Sequence, residues 1–201
     1  MDATFYFDFG SPNAYLAYRV LPAIEQRSGA RLEPVPVLLG GLFKLTGNQS
    51  PITAYAAIPA KLAYERREME RFVERHGLTQ FRFNPNFPIN TLGLMRGALA
   101  AQALDVLDPY VEAVFRAMWE DERNMGEPEV VAATLAEAGL PATELLELSQ
   151  DPEIKGGLAA NTQHAFEQGA FGVPSFIVGG ELYFGKDKLG EVEEALAARK
   201  G

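Results

Sequence analysis

Cysteine is absent from the 201 residues, and histidine occurs only twice, at His76 and His164. The first absence excludes disulfides, thiolate-bound zinc, CxxC redox chemistry and a protein thiol nucleophile. The second leaves no His-rich metal site, because the two imidazoles stand far apart in the chain. Positive charge is scarce too. Lys and Arg number 18 against 27 Asp and Glu, a net charge of -9. That balance argues against general nucleic-acid binding, which rests on phosphate neutralisation, and against an anionic membrane surface. No apolar run is long enough to cross a bilayer, and the opening MDATFYFDFG lacks the positive region of a signal peptide. The expected compartment is the cytosol, and the glycosylation match at Asn48-Gln49-Ser50 reads as chance.

What is present reads as a globular chain with a change of rhythm in the middle. Thr4 to Phe9 (TFYFDF) is rich in aromatic residues and reads as a buried strand. After Gly10-Ser11-Pro12, a helix is expected from Asn13 to Ser28, with Tyr15, Leu16, Val20, Leu21 and Ile24 on one side. Arg31 to Leu39 reads as a second strand, which its two prolines place at an edge. From Asn48 to about Phe166 the patterns are helical. Starts are expected at Pro59, at an Asn90 cap, at an Asp108-Pro109 cap, and at Pro128, Pro141 and Pro152, with stops at Gly77 and Gly139. Ser175 to Val178 and Glu181 to Phe184 then read as a hairpin around Gly179-Gly180, followed by a final helix carrying Leu189, Val192 and Leu196. The order β-α-β, helices, β-β-α is that of a thioredoxin-like α/β sheet with a large all-α insertion. Residues 1–45 and 167–201 are expected to form the thioredoxin-like part and 46–166 the insertion.

Chemistry-bearing residues cluster at the turns. Ser11, with Pro12 and Asn13, opens a helix, where free N–H groups and the dipole favour an anion such as a thiolate; the plainer role for Ser11 is a helix cap. Val173-Pro174 enters a strand. A cis bond there would turn the Val173 backbone out towards an extended ligand, whereas a trans bond would make it an ordinary strand start. Asp187, after Lys186, caps the last helix or binds an amino group. Lys44 and Asn48 lie in what reads as a loop after the second strand, where a lysine is usually solvated. Phe87-Pro88-Ile89-Asn90-Thr91 with Arg96 reads as a turn, a cap and a helix. His76 fits a helix C-terminus, and His164 reads as structural.

Taken together and in this order, FYFDFGSPNAYLA, the loop with Asn48, FPINT, and GAFGVPSFIVGGELYFGKDKL resemble the 2-hydroxychromene-2-carboxylate isomerases. Those group with the kappa-class glutathione transferases among thioredoxin-like proteins related to bacterial disulfide oxidoreductases. The resemblance covers essentially the whole chain. It implies glutathione as cofactor, with Ser11 at its sulfur where the oxidoreductases carry a cysteine, followed by Pro12 and Asn13. It implies Val173 and a cis Pro174 at the cysteinyl backbone, Lys186 and Asp187 at the γ-glutamyl end, Asn48 as a further contact, and Lys44 facing the substrate carboxylate. Kappa transferases tend to have serine where this chain has Lys186. The stretch Asn84-Pro85-Asn86-Phe87 departs from the Tyr/Asn-containing stretch of the isomerases. The implied reaction interconverts a 2-hydroxychromene-2-carboxylate-type compound and its open-chain trans-benzylidenepyruvate isomer by reversible thiolate addition, without a metal. Alternatives are a kappa-like transferase or peroxidase and a noncatalytic peptide-binding module. The expected partners are glutathione and a small aromatic carboxylate, with a homodimer as the assembly.

Overall fold

The computed structural model describes residues 3–199; residues 1, 2, 200 and 201, which fall within the outer expected segments, lie outside the described residues. Strand β1 (Ala3–Phe7) pairs in parallel with β2 (Glu33–Pro36) and antiparallel with β3 (Ser175–Val178), which pairs with β4 (Glu181–Phe184). The order β2-β1-β3-β4 leaves β2 at an edge, as its prolines require. Both N-terminal strands are shorter than their apolar runs. Phe9 leaves the ladder: its N–H donates to the Met95 sulfur at 3.5 Å and its carbonyl accepts from Trp119 Nε1 at 2.8 Å. Pro34 and Pro36 bring no N–H to β2, which ends where Val37 N donates to Phe7 O.

Helix α1 (Pro12–Ser28) crosses between the parallel strands and stops at Gly29, whose left-handed φ of 63° suits glycine. The helical stretch holds α2 (Leu39–Thr46), α3 (Pro51–Ala54), α4 (Pro59–His76), α5 (Leu92–Ala103), α6 (Leu107–Trp119), α7 (Pro128–Glu137), α8 (Ala142–Leu148) and α9 (Pro152–Glu167). A short 3₁₀ turn at Lys186–Lys188 leads into α10 (Leu189–Ala198).

The structure corrects several boundaries. Thr91, not Asn90, caps α5, although Asn90 Oδ1 accepts from Leu92 N at 3.1 Å. Helix α6 begins at Leu107 after Val106, so Asp108 and Pro109 lie inside its first turn. Pro141 is itself the cap of α8. The largest correction is α2, which occupies residues read as a loop. Its Gly-Gly start suggests a turn, but Gly41 serves packing: a Cβ there would stand 2.9 Å from Thr162 Cγ2 on α9.

The larger of two cores runs through the sheet and α1, α5 and α6, and a smaller one gathers Tyr6, Val37, Leu42, Ala165 and Ile177. Phe5 stacks on Phe7, Phe7 meets Phe9 edge-on, and Phe9 meets Phe115 of α6 edge-on at 4.8 Å. Each ring is at least 99% buried, and such pairs add about 0.5–1.5 kcal/mol beyond area burial. The aromatic strand is thereby pinned at its C-terminal end, where the chain turns into Gly10-Ser11.

Candidate functional site

Ser11 caps α1. Its Oγ accepts from Ala14 N at 3.1 Å and donates to Val173 O at 3.2 Å. The cap role is therefore real, and the same hydroxyl joins the helix start to the loop before β3. Pro12 at the first helical position has no N–H to satisfy. Ala14 N and Tyr15 N both bond to the Ser11 carbonyl. Among the described residues this leaves the Asn13 N–H as the first-turn amide without a partner. An open amide, a nearby hydroxyl and the positive end of a 17-residue helix form an anion-binding corner.

Opposite this corner, the Val173–Pro174 bond is cis, as the resemblance implies. Val173 O receives the Ser11 hydroxyl, and the Val173 N–H has no partner among the described residues. Pro174 O accepts from Gly185 N at 2.9 Å, which sets the next two residues at the far side of the loop. There Lys186 Nζ bonds Asp187 Oδ1 at 2.6 Å. The Lys186 side chain is only 5% exposed, while Asp187 is 65% exposed. Lys186 Nζ also stands 4.9 Å from the Phe72 ring centre. Asp187 does not cap the last helix, whose cap residue is Lys188 without a side-chain bond; the Lys186 ammonium holds its carboxylate instead.

The remaining expected residues are placed less directly. Asn48 Nδ2 donates to Phe171 O at 2.8 Å and its Oδ1 accepts from Gln49 N, so the side chain braces the 171–174 loop. Lys44 is exposed in the last turn of α2, not in a loop. Asn84 is buried and structural: Nδ2 donates to Met118 O and Arg123 O, each at 2.8 Å, and Oδ1 accepts from Asn86 N. A second cis bond, Phe87–Pro88, was not foreseen. His76 ends α4 against Phe72; burial is the main cause of its lowered pKa, with Arg75, Arg27 and Lys186 adding to it.

Asp8 escaped the sequence reading. It is fully buried and accepts from Gly10 N at 2.8 Å, Leu39 N at 2.8 Å and Thr91 Oγ1 at 2.7 Å. One carboxylate thus ties the Ser11 turn to the starts of α2 and α5. Leu38, the cap residue of α2, and Thr91 make no side-chain cap bond of their own; Asp8 Oδ2 caps α2 from a distance. Burial holds the Asp8 carboxyl above its ordinary value, against the pull of its three donors. A lone polar residue in an aromatic run was the available signal.

A cleft of about 650 Å³ lies at the other end of the sheet, beside Ala3, Glu33 and Leu196. It contains none of these residues, and its Arg31 pairs with Asp108.

Comparison with known proteins resolves what this arrangement belongs to. Residues 3–197 match the family described as DSBA-like thioredoxin domain. The chain belongs to that family. A 2-hydroxychromene-2-carboxylate isomerase of Sphingobium xenophagum is 27% identical over 195 residues, covering 96% of each chain. Human glutathione S-transferase kappa 1 is 26% identical over 202 residues, covering 92% of this chain and 85% of the relative. A solved 2-hydroxychromene-2-carboxylate isomerase superposes with a TM-score of 0.85 at 25% identity, covering 100% of this chain and 96% of that one. The cytosolic disulfide reductase DsbM of Pseudomonas aeruginosa, at 19% identity and TM-score 0.63, shares the fold. Within the family this chain stands apart from disulfide chemistry, since it has no cysteine. Among the described residues no helix is long and apolar enough to cross a membrane, and no cluster of acidic or imidazole groups could hold a metal.

Proposed function

We propose that the protein is a glutathione-dependent isomerase acting on a small aromatic carboxylate of the 2-hydroxychromene-2-carboxylate and trans-benzylidenepyruvate type. The observation that carries the reading is the hydrogen-bonded line from Ser11 through Val173 and Pro174 to Gly185, ending at Lys186–Asp187. The relatives named as isomerases and kappa transferases support it.

The residues fit a γ-glutamyl tripeptide. The Val173 N–H is an open main-chain donor of the kind that pairs with an extended peptide. The Lys186–Asp187 pair offers both charges to an α-amino-acid end. Asn48 braces the loop between them. Glutathione, when bound, supplies a sulfur nucleophile for a reversible addition and elimination at a conjugated double bond. Ser11 then turns its hydroxyl from Val173 O to the sulfur, and the start of α1, with Pro12 and the Asn13 N–H, favours its ionised form. Lys44 is proposed to face the substrate carboxylate from α2. In this reading residues 1–45 and 167–201 hold the thiol, and 46–166 shape the pocket for the second substrate. The proposed setting is a cytosolic homodimer.

Calorimetry with glutathione is the first test: no binding overturns the reading and leaves a noncatalytic peptide-binding module. Product analysis is the second. Formation of an isomer with glutathione conserved supports the isomerase, whereas consumption of glutathione in a conjugate replaces it with the kappa-like transferase. Lys44→Ala should raise KM for an anionic substrate more than it weakens glutathione binding; an equal effect on both removes Lys44 from the site.

A further inference from the structure

Three arginines are partly buried: Arg19, Arg96 and Arg123. Arg19 pairs with Glu112 and Glu120, and Arg123 with Glu137. Arg96 has no acidic partner among the described residues, and its Nε is buried without an acceptor. This occurs in a chain with nine more acids than bases. A buried donor left unsatisfied is costly and asks for an explanation.

The position of Arg96 gives one. It lies early in α5, whose cap Thr91 donates to Asp8, the residue that accepts from Ser11 N through its main-chain carbonyl at 3.1 Å. Its chain neighbour Met95 accepts from Phe9 N. Helical side chains lean back towards the N-terminus of their helix, so Arg96 leans towards the end of α5 that meets the Ser11 turn. Leu99, three residues on, stands 2.9 Å from the position of a Cβ on Gly157 of α9, which puts Arg96 on the flank of α5 facing α9. Helix α9 is bonded in turn to Pro36 O and Leu38 N, at the start of α2. Helix α5 therefore starts beside α2 at the end of β1, with α9 packed against both. In Arg96 only Nε is both buried and unpartnered; its terminal nitrogens, not buried in that way, remain open. The other buried side-chain atom without a partner among the described residues is Asn13 Oδ1, two residues after Ser11. Both unsatisfied atoms thus belong to helices, α1 and α5, that start at the Asp8 junction.

We infer that Arg96 is a carboxylate-binding residue of the second-substrate pocket, taking the carboxylate of a small aromatic acid. This deepens the isomerase reading and rests on it for the choice of ligand. A guanidinium binds a planar carboxylate through two parallel bonds, which a solvated lysine cannot match. Lys44, exposed on the last turn of α2, is the weaker of the two cations for this role.

The test measures binding of trans-cinnamate to the full chain by calorimetry, with and without glutathione, beside neutral cinnamamide. The parent should bind cinnamate in preference to the amide. Arg96→Met keeps the apolar stem and should lose roughly tenfold to a hundredfold in cinnamate affinity, the range for a hydrogen bond to a charged group. Its glutathione affinity and thermal midpoint should not fall, because Arg96 has no partner among the described residues to lose. Arg96→Lys should recover part of the loss. Equal cinnamate affinity in parent and Arg96→Met overturns the inference, and so does equal binding of acid and amide by the parent. A parent that binds cinnamate through Arg96 but not glutathione keeps the inference and removes the isomerase reading.

Discussion

Replacing Ser11 by glycine and by alanine separates its two roles. The hydroxyl caps α1 through Ala14 N and bonds Val173 O. Alanine removes both bonds. Losing a serine cap costs about 1 kcal/mol, and losing an ordinary hydrogen bond costs about another 1 kcal/mol. In a chain of this length roughly 2 kcal/mol lowers the thermal midpoint by about 4–8 °C. Glycine costs only a few tenths of a kcal/mol as a cap but still loses the Val173 O bond, so Ser11→Gly should fall by about two-thirds as much. On the thiol the two variants should act alike. A hydrogen bond to a charged group is worth about 1.5–3 kcal/mol. To reach the sulfur, however, the hydroxyl gives up its bond to Val173 O, worth about 1 kcal/mol. The net gain of roughly 0.5–2 kcal/mol corresponds to about 0.5–1.5 pKa units. Bound glutathione should therefore ionise at a pH higher by that amount in both variants, read by thiolate absorbance in the ultraviolet. Activity near neutral pH should fall and partly return at higher pH, while Ser11→Thr retains the parent profile. If glutathione ionises at the same pH in Ser11→Gly as in the parent, Ser11 is a cap alone and the catalytic reasoning fails.

Further outcomes follow from residues around the site. Burial holds the Asp8 carboxyl above its ordinary value, so the native state takes up that proton more readily than the unfolded chain does. Asp8 therefore adds stability below about pH 4 that is lost as the pH rises through its native value. Urea midpoints should show the advantage of the parent over Asp8→Asn narrowing from pH 4 to pH 8; a constant difference contradicts this. A Cβ on Gly97 would stand 2.1 Å from the Tyr110 hydroxyl oxygen, which donates to Leu94 O at 3.0 Å. Gly97→Ala must displace a buried tyrosine and should cost about 1–3 kcal/mol, measured by denaturant unfolding. Asn84→Ala leaves Met118 O and Arg123 O without their donor and should cost about 2 kcal/mol or more. It should leave glutathione affinity unchanged in calorimetry; a change would return that stretch to the site.

The sequence by itself determined the order of the strands and of the helices other than α2 and α3, the hairpin to the residue, and the starts or stops at Pro59, Gly77, Pro128 and Pro152. Those features rest on local chemistry: proline fixes φ at a helix start, glycine accepts a left-handed stop, and alternating apolar residues between turns make strands. The Ser11 cap was legible for the same reason. The tertiary structure alone decided what long-range partners supply. Helix α2 starts without a cap of its own because Asp8, 31 residues earlier in the chain, accepts from Leu39 N, so no local pattern announces it. The glycine that suggests a turn there, Gly41, makes room for Thr162 of another helix. Asp187 reads locally as a cap but is claimed by its neighbour, since Lys186 is buried against Phe72 and requires a counter-ion. Arg96 reads as an ordinary helical arginine. Whether a guanidinium has a partner depends on which acids the fold brings within reach, and among the described residues it brings none.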